Sequence, residues 1–249
     1  MVVMNGFIKK SLKIALFVAG LMALIIPPCF AQSSEDILWN KVITSNAKLT
    51  KYFAGQVQPR TDTFDSKGKL IGNTQSVYVY KELDSGKPVR SMKSHTTSPG
   101  LSPELPDIGI EDVMDHPETG LVKTEKVAPA GNETVAGVEC QVFDIEGSIN
   151  GKDGDHLPFK GKAWIDPTSP RPVKAEYTVD VSSAPSSIKS LSYSVMYDNK
   201  AMPTEVVTEV TVSVLFHKFR FVMQQELSNW LTRSDAVPAI SEPASATTH

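Results

Sequence analysis

The sequence predicts a chain that is mainly β with α (an α+β fold), an antiparallel sheet preceded by one helix. Turn-forming clusters punctuate it from Tyr52 to Trp230: DSKG at Asp65–Gly68, DSGK at Asp84–Lys87, NGKDGD at Asn150–Asp155 and DNK at Asp198–Lys200. Asp, Asn and Gly supply the turn and left-handed dihedrals that hairpins need. Between the turns lie runs rich in β-branched and aromatic residues, QSVYVYKE, VECQVFDIEG, AWID, VKAEYTVDV, SLSYSVMY and TEVVTEVTVSV, which read as strands. No helix-length stretch separates them, so the crossovers of a parallel sheet have nowhere to form. About eight strands or more are expected.

The first 31 residues stand apart as a signal peptide. Lys9, Lys10 and Lys13 precede an apolar run from Ile14 to Ile26, and Cys29-Phe30-Ala31 places small residues around a cleavage point before Gln32. The run is shorter than the ~20 residues that span a bilayer. Pro27 and Pro28 stand where acylation of Cys29 would need small flexible residues, so lipidation is rejected. The expected organisation is a signal peptide over 1–31, one domain over 32–235 and a disordered tail over 236–249, where AVPAISEPASATTH is small, polar and Pro-bearing. A chain of this size buries roughly 70% of its surface, enough for a core. Cleavage removes three Lys from a net charge of −3. The more acidic chain that remains has no basic cluster and argues against nucleic acid or anionic lipid as a main partner.

Glu35 and Asp36 favour a helix N-terminus, with Ser33 or Ser34 as cap. Ile37, Leu38, Val42, Ile43 and Leu49 recur at helical spacing, which predicts one amphipathic helix from Glu35 to Lys51. The segment His95–Gly120 carries Pro99, Pro103, Pro106 and Pro117 and is predicted to leave the sheet. Its apolar residues Leu101, Leu105, Ile108, Ile110, Val113 and Met114 suit a lid that folds back over something, with one helical turn near Ile110–Met114. In PRPVKAEYTVDV, Val173, Ala175, Tyr177, Val179 and Val181 alternate with polar residues, so this strand has one apolar face to cover. In VTVSVLFHKFRFVMQQEL the apolar parity changes near Phe216–Lys218. A bulge at a sheet edge is the expectation. A reversal there would instead make Leu215 and Phe216 an exposed tip able to touch a membrane or partner.

Chemistry is sparse. His95, His116, His156, His217 and His249 lack metal-ligand spacing, and no metal or cofactor is expected. Asp153-Gly-Asp155-His156 sits in a Gly-rich turn, and turn chemistry accounts for it without a cation. No nucleophile elbow and no phosphate-cradling loop is present, so no catalytic residue is assigned and no enzyme is expected. Cys140, the one Cys left after cleavage, lies between apolar strand residues and reads as a small buried hydrophobe. Asn132-Glu133-Thr134 is a sequon, relevant only in a eukaryotic secretory pathway.

The order of these features resembles a known family. A signal peptide and a helix precede antiparallel hairpins, then a Val-x-Gly-x-x-Cys-x-Val strand at Val135–Val142 and a Gly-x-x-Trp-Ile-Asp-Pro strand at Gly161–Pro167 leading into PVKAEY. This is similar to the LolA/LolB-like superfamily of outer-membrane lipoprotein-sorting proteins, which includes the sensor RseB. The resemblance implies a curved, incomplete antiparallel β-barrel covered by the N-terminal helix and a Pro-rich lid, around an apolar cavity that takes acyl chains. By the same resemblance Trp164, Tyr177, Val179, Tyr193, Val195, Val210 and Val212 would line the cavity. Leu101, Leu105, Ile108 and Met114 would belong to the lid. In that family's lipoprotein carrier a lid arginine closes the cavity; Arg60 and Arg90 lie near strand ends here, and no local motif singles out either. The implied function is a periplasmic carrier of lipid or acylated protein, working with an inner-membrane transporter or an outer-membrane acceptor. The alternative is a non-enzymatic envelope sensor or scaffold that binds another protein.

Overall fold

The computed structural model describes residues 34–98, 113–121, 124–150, 156–181, 187–214 and 217–234. The expected signal peptide and tail, the expected lid residues Leu101, Leu105 and Ile108, the Asp153–Asp155 cluster and residues Leu215 and Phe216 lie outside the described residues. The chain divides into two compact units, Met1–Ile37 and Leu38–His249. Of the first, only the opening turn of the helix is described, with Ile37 exposed. Everything below concerns the second.

Helix α1 spans Ser34–Asn46 with Glu35 and Asp36 in its first turn, and a 3-10 turn, Ala47–Lys51, carries the chain onward. The single helix expected to Lys51 therefore tightens over its last turn, as helix ends commonly do. Leu38, Trp39, Val42 and Leu49 are buried. Among the described residues no helix is long and apolar enough to cross a membrane.

Ten strands follow: β1 Tyr52–Phe64, β2 Leu70–Asp84, β3 Lys87–Thr97, β4 Lys126–Val135, β5 Val138–Asn150, β6 His156–Asp166, β7 Arg171–Val179, β8 Ile188–Tyr197, β9 Pro203–Val214 and β10 His217–Thr232. They form one antiparallel sheet in the order β3-β2-β1-β10-β9-β8-β7-β6-β5-β4. Two meanders are thus joined where β1 pairs β10, and β3 and β4 remain as unjoined edges. The architecture is the incomplete barrel with an N-terminal helix that the sequence resemblance implies.

The turns work as their residues dictate. The carboxylate of Asp65 accepts hydrogen bonds from the Lys67 and Lys69 amides (2.9 Å each), which helps hold its carboxyl below the usual range. Asp198 does the same for the Lys200 and Met202 amides at 2.8 and 2.9 Å. Ser85 and Gly86, with φ of 49° and 79°, form the two-residue connection of β2 and β3, as primed hairpin turns require.

Several expectations are corrected. β3 continues through His95 to Thr97, pairing Thr97 with Thr74, so the Pro-rich excursion starts later than His95. Of the helical turn expected near Ile110–Met114, residues 110–112 lie outside the described residues and 113–115 form a plain turn, with a 3-10 turn following at Pro117–Gly120. The polar stretch KVAPAGNETV is itself a strand, β4, almost wholly exposed and interrupted at Pro129 and Gly131. A proline and a bulge suit an edge strand, where no outer partner needs the missing N–H. Val214 pairs with His217. The parity change after Val214 is therefore a chain reversal between β9 and β10, not a bulge within one strand.

Candidate functional site

The face of the sheet under α1 is a continuous apolar wall. Tyr177 pairs with Tyr193, Val179 with Leu191 and Ala175 with Val195 across β7 and β8. Val195 then pairs with Val206, Leu191 with Val210 and Ile188 with Val212 across β8 and β9. All are buried in one cluster with Leu38, Trp39 and Val42 of α1. The Trp39 ring lies 5.3 Å from Phe143, Phe159 meets Tyr177 edge-on at 5.3 Å, and Tyr177 and Tyr193 are 5.9 Å apart. Burying each of the larger side chains contributes about 1.5–3 kcal/mol. Six of the seven cavity residues expected from sequence, Tyr177, Val179, Tyr193, Val195, Val210 and Val212, are brought together on this wall.

Trp164 is not among them. It belongs to a separate cluster with Cys140, Val142 and Val173. Trp164 pairs with Val142 and its flanking residues Ala163 and Ile165 lie in the main cluster, so strand alternation turns Trp164 to the opposite face. There its indole N–H donates to Glu133 Oε2 at 2.8 Å, and Lys174 Nζ stands 4.9 Å over its ring. Val173 joins it because the β6–β7 register shifts between Trp164 and Ile165. That bulge breaks the alternation expected from Val173 to Val181, and Ala175 is the first residue of the run to face the wall. Cys140, buried in the same outer cluster, has its thiol pushed up by burial.

Residues 113–121 lie across the apolar wall as a strap. Val113 and Leu121 are buried in the main cluster, and Met114, an expected lid residue, packs against it. The Tyr177 hydroxyl donates to Gly120 O at 3.1 Å. A Cβ on Gly120 would stand 3.0 Å from Tyr197 Oη and 3.4 Å from Val195 Cγ1, so the residue without a side chain is what lets the strap lie this low.

Polar groups hold the strap's ends. Arg90 of β3, with a side chain only 8% exposed, ion-pairs Asp115 at 2.7 Å. Its guanidinium also donates to Ala54 O through Nε (3.1 Å) and Nη2 (2.7 Å), while the Ala54 amide donates to Met114 O at 2.7 Å. Arg233 donates from Nη2 to Asp115 O at 2.7 Å, and Asn46 Nδ2 donates to Glu118 O at 2.7 Å. Neither arginine contact was readable in sequence, because each joins residues distant in the chain. Arg60, the other candidate, pairs with Asp62 two residues away and stays exposed.

Where the strap meets α1 and the wall, Asn46 Oδ1, Glu118 Oε2 and Tyr197 Oη are buried without hydrogen-bonding partners among the described residues. Burial, with the neighbouring Tyr177 and Tyr193, pushes the Tyr197 phenol well above its ordinary range, so it stays neutral. A groove of about 440 Å³ opens at the ends of β4 to β7, lined by Phe159 and Val179 of the apolar cluster together with Lys126, Glu146, Lys160 and Asp180. Lys126 and Lys160 ion-pair Glu146 at 3.0 and 3.2 Å and hold its carboxyl below the usual range. Among the described residues no three His, Cys, Asp or Glu side chains gather as a metal ion would require.

No family model matches the chain, and no curated protein matches it. Solved structures do. A LolA superfamily protein from Nitrosomonas europaea is 14% identical, with 75% of this chain and 92% of that one covered and a TM-score of 0.28. LprF from Mycobacterium bovis is 13% identical, with 76% and 91% covered and a TM-score of 0.27. The MucA/MucB complex of Pseudomonas aeruginosa contains a chain 10% identical, with 78% and 93% covered and a TM-score of 0.22.

Proposed function

We propose that this protein is a non-enzymatic, periplasmic binder or carrier of acyl chains, borne by a lipid or a lipidated protein, with the apolar wall of β7 to β9 as its binding surface. One observation carries the reading: the apolar wall is crossed by a strap held by polar contacts, chiefly Arg90 with Asp115 and the Ala54 amide with Met114 O. Asp115 keeps 26% of its side-chain exposure, so water can take over its side of the pair when the strap lifts, and the same directional contacts reset the strap in one position when it returns. The unpaired Asn46, Glu118 and Tyr197 groups add to this, since each buried unpaired polar group costs about 1–3 kcal/mol and raises the energy of the closed arrangement. With the strap displaced, acyl chains would replace Val113 and Leu121 on the wall, gaining about 0.8 kcal/mol per methylene buried.

The test is native mass spectrometry of the protein prepared from cells without detergent. Bound species that disappear on organic extraction, and that the Arg90→Met variant retains less well, are the expected result. A wild-type protein that carries nothing, and takes up no fluorescent fatty acid in vitro, would sink the carrier.

The exposed edges β3 and β4 favour a second reading, a scaffold that binds another envelope protein. Crosslinking in cells separates the two, because a stoichiometric protein partner without any lipid supports the scaffold.

A further inference from the structure

The wall facing α1 changes chemistry toward its β3 edge. Val57 and Leu227 pair and both lie in the main cluster. Alternation from Val57 therefore places Thr61 of β1 on that same face. Thr61 pairs with Thr74 of β2, and Thr74 pairs with Thr97 of β3. Two residues on from Thr74, Ser76 pairs with His95. The Ser76 hydroxyl lies 2.8 Å from His95 Nδ1, and the Thr97 hydroxyl lies 2.8 Å from His95 Nε2. Thr61 also pairs with Met223 of β10, which packs against the apolar cluster. A patch of hydroxyls centred on one imidazole therefore adjoins the apolar wall directly. His95 and Thr97 are exposed and Thr61 and Thr74 half-buried, so the patch is open.

The patch contains no Lys, Arg, Asp or Glu. Arg60 and Asp62, which flank Thr61 in β1, take the alternate positions and ion-pair each other at 2.9 Å, and Arg90 of β3, which shares the face of the patch, is engaged with Asp115 and Ala54 O. Hydroxyls both donate and accept, and imidazole nitrogens hydrogen-bond as well, which suits ester carbonyls and alcohols. They offer no opposite charge to a phosphate or an ammonium, and leaving a charge unpaired against an apolar surface is costly.

We infer that Thr61, Thr74, Ser76, His95 and Thr97 bind the uncharged, oxygen-rich head of the ligand, a glycerol ester whose acyl chains continue onto the apolar wall. The inference rests on the acyl-binding reading and narrows it to neutral glycerolipids.

The test measures displacement of a fluorescent fatty acid from the full-length protein by dioleoylglycerol, dioleoylphosphatidic acid and octadecene. Wild type should prefer dioleoylglycerol to the phosphatidic acid. A Thr74→Val, Ser76→Ala, Thr97→Val variant keeps the shape and β propensity of the patch, and should lose about tenfold in dioleoylglycerol affinity, on the order expected for one or two hydrogen bonds. Octadecene binding should stay within about twofold. His95→Gln, a change at an exposed position, gives a second measurement should the triple variant not fold. Equal losses for dioleoylglycerol and octadecene, no loss for either, or a wild-type preference for the phosphatidic acid would each overturn the head-binding site while leaving acyl binding intact. A wild type that binds none of the probes would remove the acyl-binding reading and this inference with it.

Discussion

Replacing Arg90 with Met tests whether the strap is a separate moving part. Met keeps an apolar stem in the site but removes two guanidinium hydrogen bonds to Ala54 O and the 2.7 Å ion pair with Asp115. A hydrogen bond to a charged group contributes about 1.5–3 kcal/mol, and a buried pair broken on one side costs about 3–5 kcal/mol. Asp115 keeps 26% of its side-chain exposure, so water takes over part of its solvation and the lower part of that range applies. The strap should lose about 2–3 kcal/mol, or roughly 30- to 150-fold in its opening equilibrium. The Ala54 amide reports this, because its hydrogen bond goes to Met114 O in the strap. Val195, at the centre of the β7–β8 ladder, reports the sheet. In wild type the Ala54 amide should exchange through an opening of lower free energy than Val195, with little dependence on denaturant, the mark of a local event. In the variant that opening should fall by the stated amount and stay insensitive to denaturant. Exchange of Ala54 at the same free energy and denaturant slope as Val195, or no change in the variant, would show that the strap leaves only when the sheet unfolds.

Three further outcomes follow from the same geometry. At Gly161 a Cβ would stand 1.9 Å from Glu176 O, an overlap that only backbone movement relieves; Gly161→Ala should cost about 3 kcal/mol or more in denaturant melts. Trp164→Ala and Tyr193→Ala should each cost about 3–5 kcal/mol, yet only Tyr193→Ala should abolish lipid retention, because the two rings occupy opposite faces. Asp166 is buried, which opposes its ionisation, but hydrogen bonds from the Thr168 hydroxyl and the Ser169 and Thr168 amides, with Arg171 nearby, outweigh this and hold its carboxyl below the ordinary range. A depressed folded-state pKa gives stability that is present above the unfolded value of 3.8 and lost as pH falls through the lower folded value. Melting temperature should therefore drop more steeply below about pH 4 in wild type than in Asp166→Asn, and parallel slopes would contradict this.

The fold was legible where local chemistry determines structure. Asp65, Ser85-Gly86 and Asp198 mark turns because short polar side chains and Gly stabilise those backbones without help from elsewhere. Reading failed where local propensity is overridden. KVAPAGNETV has few β-formers, yet it pairs along β5 because the Ala136-Gly137 connection, with φ of 49° and 80°, folds it back there. Turn chemistry at Leu215–Phe216 is equally unpromising, and only the partnership of Val214 with His217 reveals the reversal. In both places the deciding interactions are cross-strand, and a single strand's pattern does not contain them.

The candidate site shows the same division more sharply. Alternation within β7 and β8 found Tyr177, Val179, Tyr193 and Val195, because one apolar face per strand is a local property. It could not say which face of β6 shares their side, and Trp164, expected on the wall from the resemblance, lies on the opposite face. Arg90 was visible as a strand-end arginine, yet its role depends on Ala54, Met114 and Asp115, which reach it only once β1, β3 and the strap are assembled. What separates a sheet that merely covers its helix from one that can receive a ligand is how the covering is fastened. Here that depends on Arg90 and Arg233, which hold Asp115, and on the polar groups left unpaired where the strap meets the wall.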